Sequence, residues 1–168
     1  KIILYLLIFI LLIISFFFIG NPPQAEEITW GVNFSQKHTQ NLGLDWKETY
    51  LALLDDLEAK DLKVAAHWDL LEPEKDRYFF DDLDWQIVMA EEKGAKILLV
   101  IGMKTGRWPE CHIPQWAVNL EKEEQQEEIF EMLREIVLRY RDSKAIWAWQ
   151  VENEPFFPFG ECLWVDKD

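Results

Sequence analysis

The sequence predicts an α/β fold in which four β-strands alternate with helices. Short apolar runs bounded by turn residues recur along the chain, and amphipathic helical patterns lie between them. Strands that alternate with crossover helices pair in parallel, and helices then cover the sheet. The predicted strands are Ile28 to Phe34, Leu62 to Trp68, Lys96 to Gly102 and Ala145 to Val151.

Residues 1–25 differ in composition from the remainder and are predicted to be a signal anchor or signal peptide. Residues 2–19 are almost wholly apolar, and as a helix they would extend roughly 27 Å, close to a bilayer core of roughly 30 Å. A lysine precedes this segment and acidic residues follow it, which places the remainder outside the cytoplasm. No clean small-x-small cleavage site follows, so the sequence favours a membrane-anchored protein over a secreted one.

The globular part, residues 26–168, contains three predicted helices. The first covers about residues 45–60 and begins with an N-terminal capping pair, Asp45 and Glu48. The second covers about residues 82–93 and ends before a glycine, the residue that best adopts a left-handed C-cap conformation. A third, over about residues 122–140, places apolar side chains at helical spacing while its other face is rich in glutamate.

Four βα units correspond to the N-terminal half of a (β/α)8 TIM barrel. The predicted strands begin about one βα unit apart. A complete barrel needs on the order of 250 residues, whereas this chain has 168. A sheet that stopped after its fourth strand would leave an unpaired edge. We therefore expect the sequence to be part of a longer protein, and a small open sheet is the alternative.

The chain is strongly acidic, with a formal net charge of −14. Nucleic-acid binding is excluded because neutralising phosphates requires clustered Lys and Arg. A solvated, soluble surface explains the acidity without any partner. Three scattered histidines offer no metal-ligand spacing, and no glycine-rich phosphate loop is present. We expect no cofactor and no metal.

The stretch from Trp147 to Pro155 carries the most specific chemistry. It is an apolar strand that ends in Asn153 and Glu154, followed by a proline that cannot extend the ladder. In an α/β barrel the carboxyl ends of the strands carry the active site. A carboxylate there, surrounded by Trp side chains, would be poorly hydrated and suited to donating a proton. Because alternate strand residues face opposite ways, both side chains can enter one site only if the strand twists or bulges at its end.

The motif WQVENEP, residues 149–155, resembles the fourth-strand signature of glycoside hydrolase clan A, a group of retaining enzymes with (β/α)8 barrels. Within that clan it is most similar to glycoside hydrolase family 5, the cellulase family, and more loosely to the barrel β-galactosidases. Residues 30–34 and 72–81 also resemble first-strand and second-loop segments of such enzymes. The resemblance covers about residues 28–158.

This resemblance implies that Glu154 is the catalytic acid/base and that Asn153 binds the 2-hydroxyl of a sugar. The family's nucleophile is a Glu that ends the seventh strand, which this sequence does not reach. Two carboxyl groups about 5 to 5.5 Å apart give retention, so the chain alone is expected to be inactive. The family also expects an Arg near the second strand and a His after the third. Here those places hold His-Trp, residues 67–68, and Met-Lys, residues 103–104.

Four further side chains are predicted to bind substrate. They are His67 and Trp68 at the end of the second predicted strand, and Trp108 and Trp116 in the third loop. Indole faces can stack on pyranose rings. The alternatives are hydrogen-bonded packing of the histidine and capping of the barrel rim by the indoles.

Other charged loop residues are expected to be solvated or structural. Lys104 and Arg107 could bind hydroxyl groups, although loop cations are usually solvated. Glu110, Glu152 and Glu161 are treated as structural or surface groups.

Cys111 and Cys162 are the only cysteines, and they lie in the loops after the third and fourth predicted strands. These loops are neighbours at one end of a parallel barrel. An oxidising location permits a disulfide, so we predict one between them. The alternative is two unpaired buried thiols.

The sequence therefore predicts a retaining glycoside hydrolase that cleaves O-glycosidic bonds of a β-linked oligo- or polysaccharide. The expected location is extracytoplasmic, with membrane attachment through residues 2–19, or secretion if that segment is cleaved. A non-catalytic carbohydrate-binding barrel of the cell envelope is the rival hypothesis, and an open-sheet structural protein is the third.

Overall fold

The computed structural model of the chain describes residues 2–18, 27–107, 109–157, 160 and 162. Its elements alternate as the sequence predicts, with additional short helices after the first two strands. In chain order they are α1 Ile2–Phe18, β1 Val32–Phe34, α2 Gln36–Asn41, α3 Trp46–Asp55, β2 Asp61–Ala65, α4 Trp68–Leu71, α5 Asp81–Glu92, β3 Lys96–Ile101, α6 Lys122–Tyr140 and β4 Ile146–Val151.

The four strands form one sheet in the order β1-β2-β3-β4, and every neighbouring pair is parallel. Each connection between strands contains at least one helix. The prediction of an α/β fold with four parallel βα units is confirmed, and the arrangement is consistent with a partial TIM barrel. All four strands therefore direct their carboxyl ends to the same edge of the sheet.

The N-terminal helix α1 has 17 residues. At about 1.5 Å per residue it extends about 26 Å, and Ile19, the last residue of the predicted segment, lies outside the described residues. In the part of the chain that the structure describes, no helix combines the length and apolar character needed to cross a membrane. The membrane-spanning helix predicted for residues 2–19 is therefore not found there.

One face of the sheet packs against the helices and forms the hydrophobic core. Alternate residues of the two central strands lie on this face, and none is more than 2 % exposed. They are Leu62, Val64, Ile97, Leu99 and Ile101. The long helix α6 contributes a stripe at helical spacing to the same core, which includes Ile129, Met132, Ile136 and Tyr140.

The opposite, concave face is polar at several positions. Lys63, Lys96 and Asp61 line an open concavity of about 660 Å³ near the amino ends of the strands, together with Leu98 and Trp147. Trp147 is 60 % exposed. A parallel α/β sheet binds ligands at the carboxyl ends of its strands, so this larger concavity is not the first candidate for a site.

The pairing between β3 and β4 shifts by one residue near the start of β4. Ile97 pairs with Ile146, whereas the next residue, Leu98, pairs with Ala148. The extra residue in β4 is Trp147, which explains how its large indole can lie on the concave face without a partner on β3.

Three boundaries differ by more than one residue from the sequence prediction. The first predicted helix ends at Asp55 instead of about residue 60, and Glu58 follows it in a left-handed conformation, with φ of 52°. The first strand begins at Val32 instead of Ile28, and Ile28 is 69 % exposed. The second strand ends at Ala65, because His67 adopts the N-cap position of α4 and Trp68 begins that helix. By contrast, α6 spans the predicted residues 122–140, and the Asp45 carboxylate caps α3 by accepting bonds from two backbone N–H groups.

We expect the core to depend strongly on β3. Replacing Leu99, which is 0 % exposed, by Ala should lower the free energy of unfolding by about 2 to 5 kcal/mol, because a cavity remains in the sheet–helix layer. Leu57 is 61 % exposed, and Leu57→Ala should change it by no more than about 0.5 kcal/mol. Urea denaturation followed by Trp fluorescence measures both. Equal stability of the two variants would contradict the description of the core.

Candidate functional site

A small pocket lies at the carboxyl ends of β1, β2 and β3, beside the residues that follow β4. Its volume is about 150 Å³. This is smaller than the roughly 300 to 1,000 Å³ of sites for drug-sized ligands, so it accommodates one small group. Its lining is mainly polar and comprises Asn33, Phe34, Ser35, Lys63, Ala65, Val100, Thr105, Gly106, Arg107 and Asn153.

The chain turns sharply where β4 ends. Glu152 and Glu154 both adopt left-handed backbone conformations, with φ of 61° and 51°. The residue between them, Asn153, donates its backbone N–H to the Lys104 carbonyl at 2.6 Å. The strand end is therefore irregular, as the sequence analysis required, but of the two side chains only that of Asn153 lines the pocket.

Glu154, the predicted acid/base, follows this turn at the carboxyl edge of the sheet. Its side chain is exposed. The dry surroundings expected for it are not present among the described residues, because this side chain is exposed and does not line the pocket. Its backbone is nevertheless held firmly, since the Glu154 carbonyl accepts hydrogen bonds from Lys104 Nζ at 3.1 Å and from the Phe157 N–H at 3.0 Å.

Glu152 joins the ends of β3 and β4. Its Oε1 accepts the Met103 N–H at 2.9 Å, and its Oε2 accepts the Lys104 N–H at 2.6 Å. Burial raises the pKa of Glu152, while the two backbone N–H groups and the Lys104 charge act in the opposite direction. The structural role that the sequence left open for Glu152 is thus supported by specific contacts.

Lys104 is buried, with 3 % exposure, and differs from the solvated cation expected of a loop lysine. Its ammonium donates to the carbonyl oxygens of Glu154, at 3.1 Å, and Phe157, at 2.7 Å. It therefore fastens the turn that carries Glu154 to the end of β3. The sequence signal that could have indicated this role is its position three residues after the apolar run of residues 97–101.

Asn153 is fixed by two side chains of the sheet. Its Oδ1 accepts hydrogen bonds from Lys63 Nζ at 3.3 Å and from Gln150 Nε2 at 3.2 Å. Sequence reasoning missed Lys63. Its alternation with Leu62 and Val64 within β2 was a usable signal, because residues of opposite parity lie on the concave face.

The other predicted binding residues lie in less accessible places. Trp68 is 0 % exposed and donates its indole N–H to Glu72 Oε2 at 2.8 Å. Trp116 packs edge-on against Trp68, and its indole N–H donates to the Glu72 carbonyl at 2.8 Å. Buried in the core, Trp68 presents no ring face on which a sugar could stack. Trp108 lies outside the described residues.

His67 belongs to a buried histidine pair. Its ring lies 4.4 Å from that of His112, edge to face, and both residues are at most 2 % exposed. His112 Nε2 lies 3.2 Å from the Gly106 carbonyl, so this nitrogen carries the proton and donates. The structure therefore favours packing over ligand contact for His67.

Three carboxylates, of Glu72, Asp76 and Glu128, place one oxygen each within 4.8 Å of one another. Both Glu72 oxygens already accept hydrogen bonds, from the Trp68 indole and the Asp76 N–H. Lys75 forms a salt bridge with Glu128 at 2.5 Å. These internal bonds account for the cluster without an ion.

Cys111 and Cys162 form a disulfide with their Cα atoms 5.2 Å apart. Cys111 also pairs with Lys104 in a short antiparallel bridge. The disulfide therefore ties the chain beyond β4 to the loop after β3, which is the same loop that holds the turn at Glu154.

We expect Gly102→Ala to disrupt the contact between β3 and β4. A Cβ at Gly102, whose φ is +122°, would lie 2.4 Å from Glu152 Oε1 and displace that carboxylate. Gly43→Ala is the matched control, because Gly43 also has a positive φ, +74°, but its Cβ would meet nothing within 4 Å. Thermal denaturation should show the larger loss of stability for Gly102→Ala. A loss equal to that of Gly43→Ala would mean that the Glu152 contact contributes nothing.

We expect the histidine pair to make stability depend on pH. Burial lowers the pKa of His67 and of His112, and the positive charge of Lys37 adds to the effect. Below about pH 6.5 the unfolded chain takes up protons that the folded chain does not bind. Stability should therefore fall as the pH decreases from about 6.5, by up to about 1.4 kcal/mol per pH unit for each histidine.

Urea denaturation between pH 7.5 and 5.0 tests this expectation. His67→Gln and His112→Asn should each flatten the dependence, whereas His38→Asn, at an exposed position, should leave it unchanged. A wild-type slope that persists in both buried variants would contradict it.

Comparisons with known proteins show the fold. No protein-family model matches the chain, and no curated protein matches it. Solved structures do match. A β-galactosidase from the Antarctic haloarchaeon Halorubrum lacusprofundi superposes with a TM-score of 0.57 at 21 % identity, over 76 % of this chain and 21 % of the enzyme.

Two enzymes of subfamily GH5_18 match similarly. The Streptomyces cattleya structure, in complex with GlcNAc, has a TM-score of 0.59 at 16 % identity and covers 82 % of this chain and 38 % of its own. The Bifidobacterium longum structure, in complex with Manβ1-4GlcNAc, has a TM-score of 0.57 at 16 % identity and covers 76 % and 33 %.

The chain thus spans about a fifth to two fifths of the length of the structures it matches. At these identities the likeness concerns the backbone fold. The resemblance to barrel glycoside hydrolases of clan A is confirmed at that level: the chain has the fold of the corresponding part of those enzymes.

Proposed function

We propose that this chain carries the acid/base part of a retaining glycoside hydrolase that acts on a β-linked glycan. The observation that supports it most is the position of Asn153 and Glu154 two and three residues after β4, at the carboxyl edge of a parallel sheet, with Asn153 lining a polar pocket. Barrel enzymes place their catalytic groups at this edge. Glu154 protonates the leaving oxygen and later activates water, while Asn153 donates a hydrogen bond to a sugar hydroxyl.

The chemistry of retention sets a requirement for the rest of the site. A second carboxylate must lie about 5 to 5.5 Å from Glu154 and act as the nucleophile. Among the described residues, the lining of the pocket includes neither Asp nor Glu. The nucleophile in this proposal therefore comes from outside the lining of the pocket, as the clan A resemblance implies.

The same observation is also compatible with a second function, glycan binding without cleavage. A barrel that presents Asn153 and Arg107 to a sugar, but has no nucleophile, would bind glycans without cleaving them. Both an enzyme and a binding barrel would bind the glycan, but only the enzyme would cleave it. An experiment must therefore measure both binding and turnover.

We also propose an extracytoplasmic location. The support is the Cys111–Cys162 disulfide, because disulfides persist in oxidising compartments and are rare in the cytosol.

The decisive measurement is hydrolysis of aryl β-galactosides and β-mannosides by the complete protein. Glu154→Gln should lower turnover of phenyl glycosides, which have a poor leaving group, by about 10²- to 10⁴-fold. The kcat/KM for 2,4-dinitrophenyl glycosides, which reports only the steps up to departure of the leaving group, should fall much less than that for phenyl glycosides, because that leaving group needs no proton. An equal loss of kcat/KM on both substrates would argue against an acid role.

The matched control is Glu58→Gln. Glu58 is also a glutamate in a left-handed turn, with φ of 52°, but it precedes β2 and lies at the amino edge of the sheet. Its replacement should leave turnover unchanged. Sugar binding by a wild-type protein that hydrolyses none of these substrates would instead establish the glycan-binding alternative.

A further inference from the structure

The orientation of the Asn153 amide is determined by its neighbours on the sheet. Lys63 Nζ and Gln150 Nε2 both approach Asn153 Oδ1, at 3.3 Å and 3.2 Å. An ammonium group has donors and no acceptor. The side of the amide that faces Lys63 must therefore be the oxygen, because an NH₂ group there would place donor against donor.

Gln150 supports the same orientation of the Asn153 amide. Its Nε2 also donates to the Glu152 carbonyl at 2.9 Å, which identifies that atom as the nitrogen of the Gln150 amide. One NH₂ group thus bridges the backbone at Glu152 and the oxygen of Asn153. The bond from Lys63 carries a charge and is for that reason the stronger type of hydrogen bond.

With its oxygen occupied, Asn153 presents its NH₂ group to the other side. A Cβ placed on Gly106 would lie 3.5 Å from Asn153 Nδ2, so the nitrogen lies against Gly106, which lines the pocket. Within the described ranges, no side chain or carbonyl accepts a hydrogen bond from Nδ2. A ligand oxygen in the pocket could accept it.

We propose that Lys63 is a positioning residue that holds Asn153 as a hydrogen-bond donor toward the ligand. This inference rests on the proposed function for the nature of the ligand, a sugar whose hydroxyl oxygen accepts the bond. It adds a requirement for the ligand: the atom that meets Asn153 must be an acceptor. Lys63 itself acts through Asn153 and lies at the base of the pocket, midway along β2.

The first test uses the unaltered complete protein, labelled with ¹⁵N and studied by NMR. Nuclear Overhauser effects from the Asn153 Nδ2 protons should reach the Gly106 Hα protons. Effects to the Lys63 Hε protons in place of those to Gly106 would show the opposite amide orientation and overturn the inference. The Asn153 resonances are assigned by their absence in Asn153→Asp.

The second test compares Lys63→Met with Lys96→Met. Both lysines line the concave face, but Lys96 lies at the amino end of β3, away from Asn153. Lys63→Met should shift the Asn153 NH₂ resonances and weaken binding of methyl β-D-galactopyranoside or methyl β-D-mannopyranoside about tenfold, as expected for one lost hydrogen bond. Lys96→Met should do neither.

The outcomes separate this inference from the proposed function. Unchanged Asn153 resonances in Lys63→Met would overturn the positioning role, whatever the sugar affinity. If the resonances shift but the wild-type protein binds neither sugar, the orientation of the amide by Lys63 stands and the glycan ligand is overturned.

Discussion

The arrangement at the candidate site depends on the Glu152 carboxylate, which bonds the backbone N–H groups of Met103 and Lys104. Parallel strands end at a common edge, but nothing in a β-ladder fixes the chain once pairing stops. Here the first residue after β4 bonds the second and third residues after β3. In the opposite direction, the Lys104 ammonium donates hydrogen bonds to the Glu154 and Phe157 carbonyls. Two oppositely charged side chains thus continue the connection beyond the ladder.

This connection explains why three glutamates near the motif differ in role. The Glu152 carboxylate accepts hydrogen bonds from backbone N–H groups. Position 102 requires glycine because any Cβ there would clash with that carboxylate. Glu154 leaves its side chain exposed, while its carbonyl is held. Glu110 lies in the loop after β3, where its left-handed backbone and its carbonyl bond to Thr105 shape a tight turn. Charge alone would not have distinguished them.

The sequence predicted the elements that depend on local patterns. The four parallel strands, the limits of α6 and the Asp45 cap follow from apolar periodicity and from side-chain capping, both of which act over a few residues. The short helix α4 was missed because its core residue, Trp68, reads as the continuation of an apolar strand. Only the indole bond to Glu72 and the packing on Trp116 show that the strand has already ended.

The motif of the candidate site could be predicted from the sequence, but the contacts that hold its side chains could not. Asn153 and Glu154 could be placed at a strand end from the sequence, because a proline follows them. The partners of Asn153 could not, since Lys63 is 90 residues away along the chain and meets it only through the pairing of three strands. The same holds for the burial of Lys104, which depends on carbonyls contributed by a later turn.

The one-residue register shift at Trp147 restricts changes in the length of β4. Because of the extra residue, Trp149 pairs with Leu99 and packs on the helical layer, whereas Gln150 pairs with Val100 and faces the concave side. Had β4 continued in its initial phase, Trp149 would point into the cavity and the Gln150 amide would be buried among the helices. An insertion or deletion of one residue that moved the register shift beyond Gln150 would turn the β4 residues that precede the motif to the opposite face of the sheet. Side chains in β4 can therefore be exchanged far more freely than the length of the strand can be altered.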